Sequence, residues 1–249
     1  GNTEETLSGI SDAKVNNFDW IVISSGGKLI DMAKNEGKEY IKIPNGLQPR
    51  AAFGYLTLAV SKIIDVSEGS NYVSQLNDVS SYLDKLSKKD EESDINKLSI
   101  DICESINKKT VIIYSGTDMS RVVSSRWKTQ INENAKSKAF IGNLPEVHHN
   151  EILSWDADKD GSKKNYIVIF IRDQNEHPQI KKRFELTKDL IGEKVNITEV
   201  NIANQESTLK TLLELVLLGD LVSLNLAAKL AVNPNNIDTI EKLKKLLGG

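Results

Sequence analysis

The 249-residue chain has a single cysteine, Cys103, so no intrachain disulfide can form, and a reducing cytoplasm is its simplest setting. It has no basic excess either. Its 32 lysines and arginines stand against 35 aspartates and glutamates, a net charge of −3, which offers no electrostatic footprint for nucleic acid or an anionic membrane surface. Histidine is scarce, at three residues: His148, His149 and His177. Two are adjacent and no pair is spaced i, i+4, so a three-histidine zinc site is not expected, and no metal or cofactor is assigned. No apolar run is clean enough to suggest a bilayer span. The most apolar stretch, Leu209 to Leu230, carries Glu214, Asp220 and Lys229 and is interrupted by Gly219 and Asn225. It is expected to be a buried or dimer-forming helix. Internal repeats and low-complexity segments are not visible.

What is present is an alternation of short apolar runs with amphipathic stretches, the pattern of an α/β chain with mainly parallel sheets. Strands are expected at Ile21–Ser25, Tyr40–Pro44, Thr110–Ser115, Ala139–Leu144, Tyr166–Ile171 and Ile197–Ile202. Helices are expected at Glu4–Lys14, from Lys28 to about Asn35, from Pro49, from Pro178 to about Ile191, and along the leucine-rich stretch. Residues 71–108 change character, with two amphipathic helices around a charged break at Lys88–Asp94. This segment reads as a linker. The expected division is therefore 1–70, a 71–108 helical linker, 109–232, and a C-terminal helix over 233–249.

Two stretches could be mistaken for sites. Asp156 to Gly161 matches the first half of a calcium loop, but the twelfth position, where a bidentate Glu belongs, is Ile167 inside a predicted strand. A turn between two strands is expected there instead. Asn196-Ile197-Thr198 fits a glycosylation sequon, and with no signal peptide to route it outward it reads as chance.

Between Ser125 and Asn150 the residue types suit proton transfer, with Glu133 near the end of a predicted helix and His148 and His149 after the next strand. Singly, such a Glu reads as a solvated helix face and such a His pair as polar surface. RWKTQINENAK, from Arg126, followed by NLPEVHHNEI, from Asn143, resembles the second sugar isomerase (SIS) domain of the bifunctional phosphoglucose/phosphomannose isomerases. IPNGLQPRAAFGYL, Ile43 to Leu56, resembles the first domain of that family, and GNTEET at Gly1 to Thr6 resembles the end of its phosphate loop. The similarity covers nearly the whole chain apart from the linker.

The resemblance implies two doubly wound SIS-type domains plus C-terminal helices. The chain opens inside the phosphate loop, without a leading strand, so the first domain is expected to lack its N-terminal segment. The implied activity is aldose–ketose isomerisation of glucose 6-phosphate and mannose 6-phosphate to fructose 6-phosphate through an enediol. In the implied roles Glu133 is the base at C2, His149 assists ring opening, Arg50 stabilises the enediolate and Lys244 lies against the ring. Thr3 and Thr6 contact the phosphate. A homodimer is implied, with His149 completing the neighbour's site. The family's C-terminal turn often carries a hydroxyl residue linked to the mannose reaction, whereas this chain has Asn235-Asn236-Ile237, with Thr239 beyond. The alternatives are a sugar-phosphate-binding SIS module without chemistry and an inactive truncated isomerase. Neither a DNA-binding helix pair nor a glutaminase half accompanies the motifs.

Overall fold

A computed structural model describes residues 1–87, 94–116, 118–157, 161–173, 175–201 and 207–247. The chain divides into two units, Gly1–Asn77 with Ile237–Gly249, and Asp78–Asn236.

In the first unit, helix α1 (Glu4–Val15) begins with Glu4 and Glu5, where the helix dipole favours acidic residues. Strand β1 (Val22–Ser24), helix α2 (Lys28–Asn35) and strand β2 (Tyr40–Lys42) follow, and the two strands pair in parallel. Their core is small: Ile10, Val22, Leu29, Ile30 and Ala33, with Leu7, Trp20 and Met32 against it. A 3₁₀ turn at Pro49–Ala52 leads into α3 (Phe53–Glu68). Pro49 opens that turn at a position where its missing N–H is not needed. Asp65 accepts hydrogen bonds from the backbone N–H groups of Tyr72 (2.7 Å) and Val73 (2.9 Å), which starts α4 (Tyr72–Ser87).

The second unit is built on a four-stranded parallel sheet. Its elements are α5 (Asp94–Ile106), β3 (Thr110–Ser115), α6 (Met119–Asn134), β4 (Ala139–Asn143), 3₁₀ turns at Glu146–His149 and Glu151–Leu153, and the short helices α7 (Ser154–Ala157) and α8 (Ser162–Asn165). Strand β5 (Tyr166–Ile171), α9 (Pro178–Ile191), β6 (Asn196–Val200) and α10 (Thr208–Lys229) complete it, and α11 (Asp238–Leu246) belongs to the first unit. The strand order is β4-β3-β5-β6. Successive side chains of a strand face opposite sides, so β3 and β5 feed two cores. Val111, Ile113, Ile167, Ile169 and Ile171 join α5, α6 and α10 on one face. Tyr114, Val168 and Phe170 join α9 and the segment from Leu144 to Trp155 on the other.

Helix α10 is long and apolar enough to cross a membrane by length and composition, yet 56% of its most apolar stretch is buried. Leu215, Leu218, Val222 and Leu226 are fully enclosed, each contributing roughly 1.5–3 kcal/mol by burial. At Gly219 the helix meets Trp127 of α6, whose indole N–H donates to the Leu215 carbonyl at 2.8 Å. The segment 71–108 contains α4 and α5, and α5 buries Ile95, Ile102, Cys103 and Ile106 in the core it shares with α10.

At Asp156–Gly161, where a turn between two strands is expected, no strand adjoins the run among the described residues. The described residues around it are helical, Ser154–Ala157 before and Ser162–Asn165 after, while 158–160 lie outside the described residues. Ile167, the residue in the would-be calcium position, is fully buried in β5. The charged break at 88–93, Thr117, and Ile202 at the end of the last predicted strand also lie outside them.

Candidate active site

In the first unit, Gly1 and Asn2 lie on the Gly26-Gly27 turn at the start of α2. The Gly1 carbonyl accepts from the Leu29 N–H (3.0 Å) and Asn2 Oδ1 from the Lys28 N–H (2.9 Å). The approach is close enough that a Cβ on Gly1 would fall 1.6 Å from the Gly26 carbonyl oxygen. Thr3 stands at the N-cap position of α1, but its hydroxyl makes no capping bond, and both Thr3 and Thr6 are exposed. Arg50 is half-buried on the 3₁₀ turn before α3, and Lys244 is exposed in the last turn of α11.

Glu133 and His149 both belong to the second unit. Glu133 is half-buried one residue before the end of α6, a helix fastened to α10 along its length. Asp220 accepts from Arg126 (Nη2 to Oδ2, 2.7 Å) and from Gln130 Nε2 (2.7 Å), and Asn134 Nδ2 donates to Ser223 Oγ at 2.9 Å. Asn132 Oδ1 takes the Ala139 N–H at 3.0 Å, joining the helix end to β4. Lys136 lies just beyond the helix with a left-handed φ of 54°. Its ammonium donates to three carbonyls, those of Glu133 (2.5 Å), Asn236 (2.7 Å) and Pro234 (3.3 Å), and so ties the Glu133 end of α6 to the turn after α10.

The two adjacent histidines have different surroundings. His148 Nδ1 lies 2.9 Å from Arg183 Nη1, and because a guanidinium only donates, Nδ1 must accept. The proton is then on Nε2, which donates to Thr187 Oγ1 at 2.7 Å, and Thr187 in turn donates to the Arg183 carbonyl. Burial first, then the charge on Arg183, hold the His148 pKa below its usual value. His148 is an anchor bonded at both ring nitrogens, whereas His149 is exposed. Two residues further on, Glu151 Oε1 accepts from the hydroxyl of Tyr114, a fully buried residue of β3, at 2.8 Å.

Helix α6 covers one face of the sheet, and the turn carrying His149 covers the other. The two groups are close in sequence but have a layer of buried strands between their elements. Among the described residues no group of three or more His, Cys, Asp or Glu side chains is placed to hold a metal ion. The anchors Tyr114, Glu151, Arg183, Thr187, Asp220 and Lys136 were not assigned roles from the sequence. Tyr114 reads there only as part of an apolar strand.

The second unit is thus a parallel sheet packed on both faces, with Glu133 on the α6 side and His149 on the other. Residues 95–247 match the family model described as the bacterial phospho-glucose isomerase C-terminal SIS domain. The bifunctional phosphoglucose/phosphomannose isomerase of Aquifex aeolicus is 33% identical over 248 residues, 99% of this chain and 73% of that protein. The D-glucosamine-6-phosphate 4-epimerase of Sulfolobus acidocaldarius is 31% identical over 100% of this chain and 76% of its own length. The crystal structure of a glucosamine-6-phosphate deaminase from Thermotoga maritima shares the fold with a TM-score of 0.65 at 16% identity, over 94% of this chain and 69% of that one. The chain belongs to the bifunctional phosphoglucose/phosphomannose isomerase family, a group of sugar-phosphate isomerases.

Proposed function

We propose that the protein interconverts glucose 6-phosphate, and mannose 6-phosphate, with fructose 6-phosphate through an enediol, using two SIS-type domains. The observation that carries this reading is the fastening of Glu133, a half-buried carboxylate on a helix end held by Asp220, Ser223 and the Lys136 ammonium. A base that removes a carbon-bound proton needs a fixed direction of approach, and rigid support of this kind supplies it.

In the proposed reaction His149 assists ring opening by acid–base contact with the ring oxygen or O1. Glu133 then takes the C2 proton. Electrons left at C2 move toward the carbonyl at C1, and Arg50 stabilises the negative oxygen that results. The O2 proton passes to the negative O1, and as the C2–O bond becomes a carbonyl Glu133 returns its proton to C1, which completes the ketose. Removing the C2 proton makes that carbon planar, so one enediol serves both aldoses. Thr3 and Thr6 are proposed phosphate contacts, and Lys244 a contact to the sugar ring. The exposed position of His149, on the face of the sheet opposite α6, supports its serving the site of a second copy in a homodimer.

The test is fructose 6-phosphate formation from each aldose phosphate, with Glu133→Gln as the blank. Loss of a proton-transfer group removes about 10²–10⁴ in rate. Turnover abolished in the blank supports the reading, and equal turnover in the blank refutes Glu133 as the base. A second reading is favoured by one observation, the similar identity of the 4-epimerase relative. D-glucosamine 6-phosphate therefore belongs in the same assay, and its conversion with no turnover of either hexose phosphate would favour that reading.

A further inference from the structure

We infer that His148 and Glu151 are positioning residues for His149, holding its backbone from two sides through α9 and β3; this rests on His149 being the ring-opening group.

The geometry is that of a short tether between two fixed points. On one side, His148 is bonded at both ring nitrogens, to Arg183 and Thr187 of α9. On the other, Glu151 is bonded to Tyr114 on the central strand β3. The direction of that second bond is fixed. The Trp155 indole N–H donates to the Tyr114 hydroxyl at 3.0 Å, and the hydroxyl then has one proton to give, which goes to Glu151 Oε1. Tyr114 stacks on Phe170, with ring centroids 6.2 Å apart, so the anchor cannot swing.

Further hydrogen bonds hold the backbone around His149. Asn150 Nδ2 donates to Glu146 Oε1 (2.8 Å), its Oδ1 accepts from the Glu151 N–H (2.6 Å), and the His148 N–H donates to the Pro145 carbonyl (3.0 Å). The exposed imidazole of His149 projects from this braced segment. Surface side chains do not need such bracing, but a group that must meet one sugar oxygen does, since a misplacement of about 1 Å costs on the order of 100-fold in rate.

The experiment compares glucose 6-phosphate with its C2-deuterated form in the full chain and in Tyr114→Phe, Glu151→Ala, Glu151→Gln, His148→Ala and His149→Gln. Thermal melts are recorded for each variant. In Tyr114→Phe, Glu151→Ala and His148→Ala, kcat is expected to fall roughly 10- to 100-fold with KM little changed. The deuterium isotope effect should shrink toward unity, because ring opening becomes slower than proton abstraction. Glu151→Gln keeps the accepting oxygen and should retain both kcat and the isotope effect. Folded Tyr114→Phe and Glu151→Ala with unaltered kcat, or with reduced kcat and an unaltered isotope effect, would overturn the inference while an impaired His149→Gln leaves the parent reading intact. If one anchor variant fails to fold, the other decides. Unaltered His149→Gln, or no turnover by the parent chain, overturns the parent reading and this inference together.

Discussion

Replacing Gly219 with alanine provides a test of the packing that fixes α6, and the outcome should have the opposite sign to ordinary helix propensity. In an open helical position Gly→Ala stabilises by about 1 kcal/mol, because alanine loses less backbone freedom. At Gly219 a Cβ would lie 2.3 Å from Trp127 Nε1, 2.4 Å from Cδ1 and 2.7 Å from Cε2. Carbon contacts settle near about 3.5 Å, so one helix must retreat by roughly 1 Å. Trp127 has nowhere to go. It is fully buried and its N–H is bonded to Leu215. Overpacking of this kind costs about 3 kcal/mol at the upper end of its usual range, which leaves a net loss of about 2 kcal/mol after the propensity gain. For a chain of this size that corresponds to a fall in Tm of about 4–8 °C. Gly9→Ala in α1 is the control, since nothing lies within 4 Å of its Cβ position, and it should raise stability of the first unit. Urea denaturation followed by tryptophan fluorescence and circular dichroism checks both. If Gly219→Ala proves as stabilising as Gly9→Ala, the close approach of α10 to α6 is wrong.

Lys136→Met removes an ammonium that gathers three carbonyls while leaving most of the aliphatic stem. A loss of about 1 kcal/mol in unfolding free energy, read from urea denaturation, is expected for so exposed a group, together with lower kcat if the end of α6 loosens. The His148 pKa is lowered in the folded chain, so the unfolded chain binds more protons once pH drops below about 6.5, and stability should decline as pH falls through that range. The decline should be shallower in His148→Gln, and equal pH slopes for parent and variant in thermal melts would refute the assignment. Mixing inactive Glu133→Gln with inactive His149→Gln chains should restore turnover that neither shows alone, because a mixed dimer holds one site with both groups intact. No recovery after verified subunit exchange would argue against sharing of the site.

Strands β3 and β5 and helix α9 have the bounds expected of them because their signals are local. Thr110–Ser115 and Tyr166–Ile171 are continuous apolar runs, and Pro178 can only open a helix. The amphipathic spacing of α5 was also readable, but not its destination. Periodicity marks Ile95, Ile102 and Ile106 as one face without naming α10 as the partner of that face. Glu133 and the histidines lay in plain view as residue types. What separates His148 from His149 is Arg183 and Thr187, 35 and 39 residues away, and no pattern within the histidine segment carries that information. The 3₁₀ turns and short helices between β4 and β5 were missed for a related reason. Their bonds depend on Tyr114, Trp155 and α9 more than on local propensity.

The sheet between Glu133 and His149 has an effect on how the enzyme can change. Helix α6 and the segment carrying His149 pack on opposite faces of the sheet, so each is held by its own core. Substitutions in the α9 layer can then move the segment carrying His149 while the packing of α6 on α10 is left alone, and substitutions between α6 and α10 can do the reverse. A fold wired in this way lets selection adjust the two segments one at a time, and that independence offers a physical route by which relatives sharing this framework come to differ.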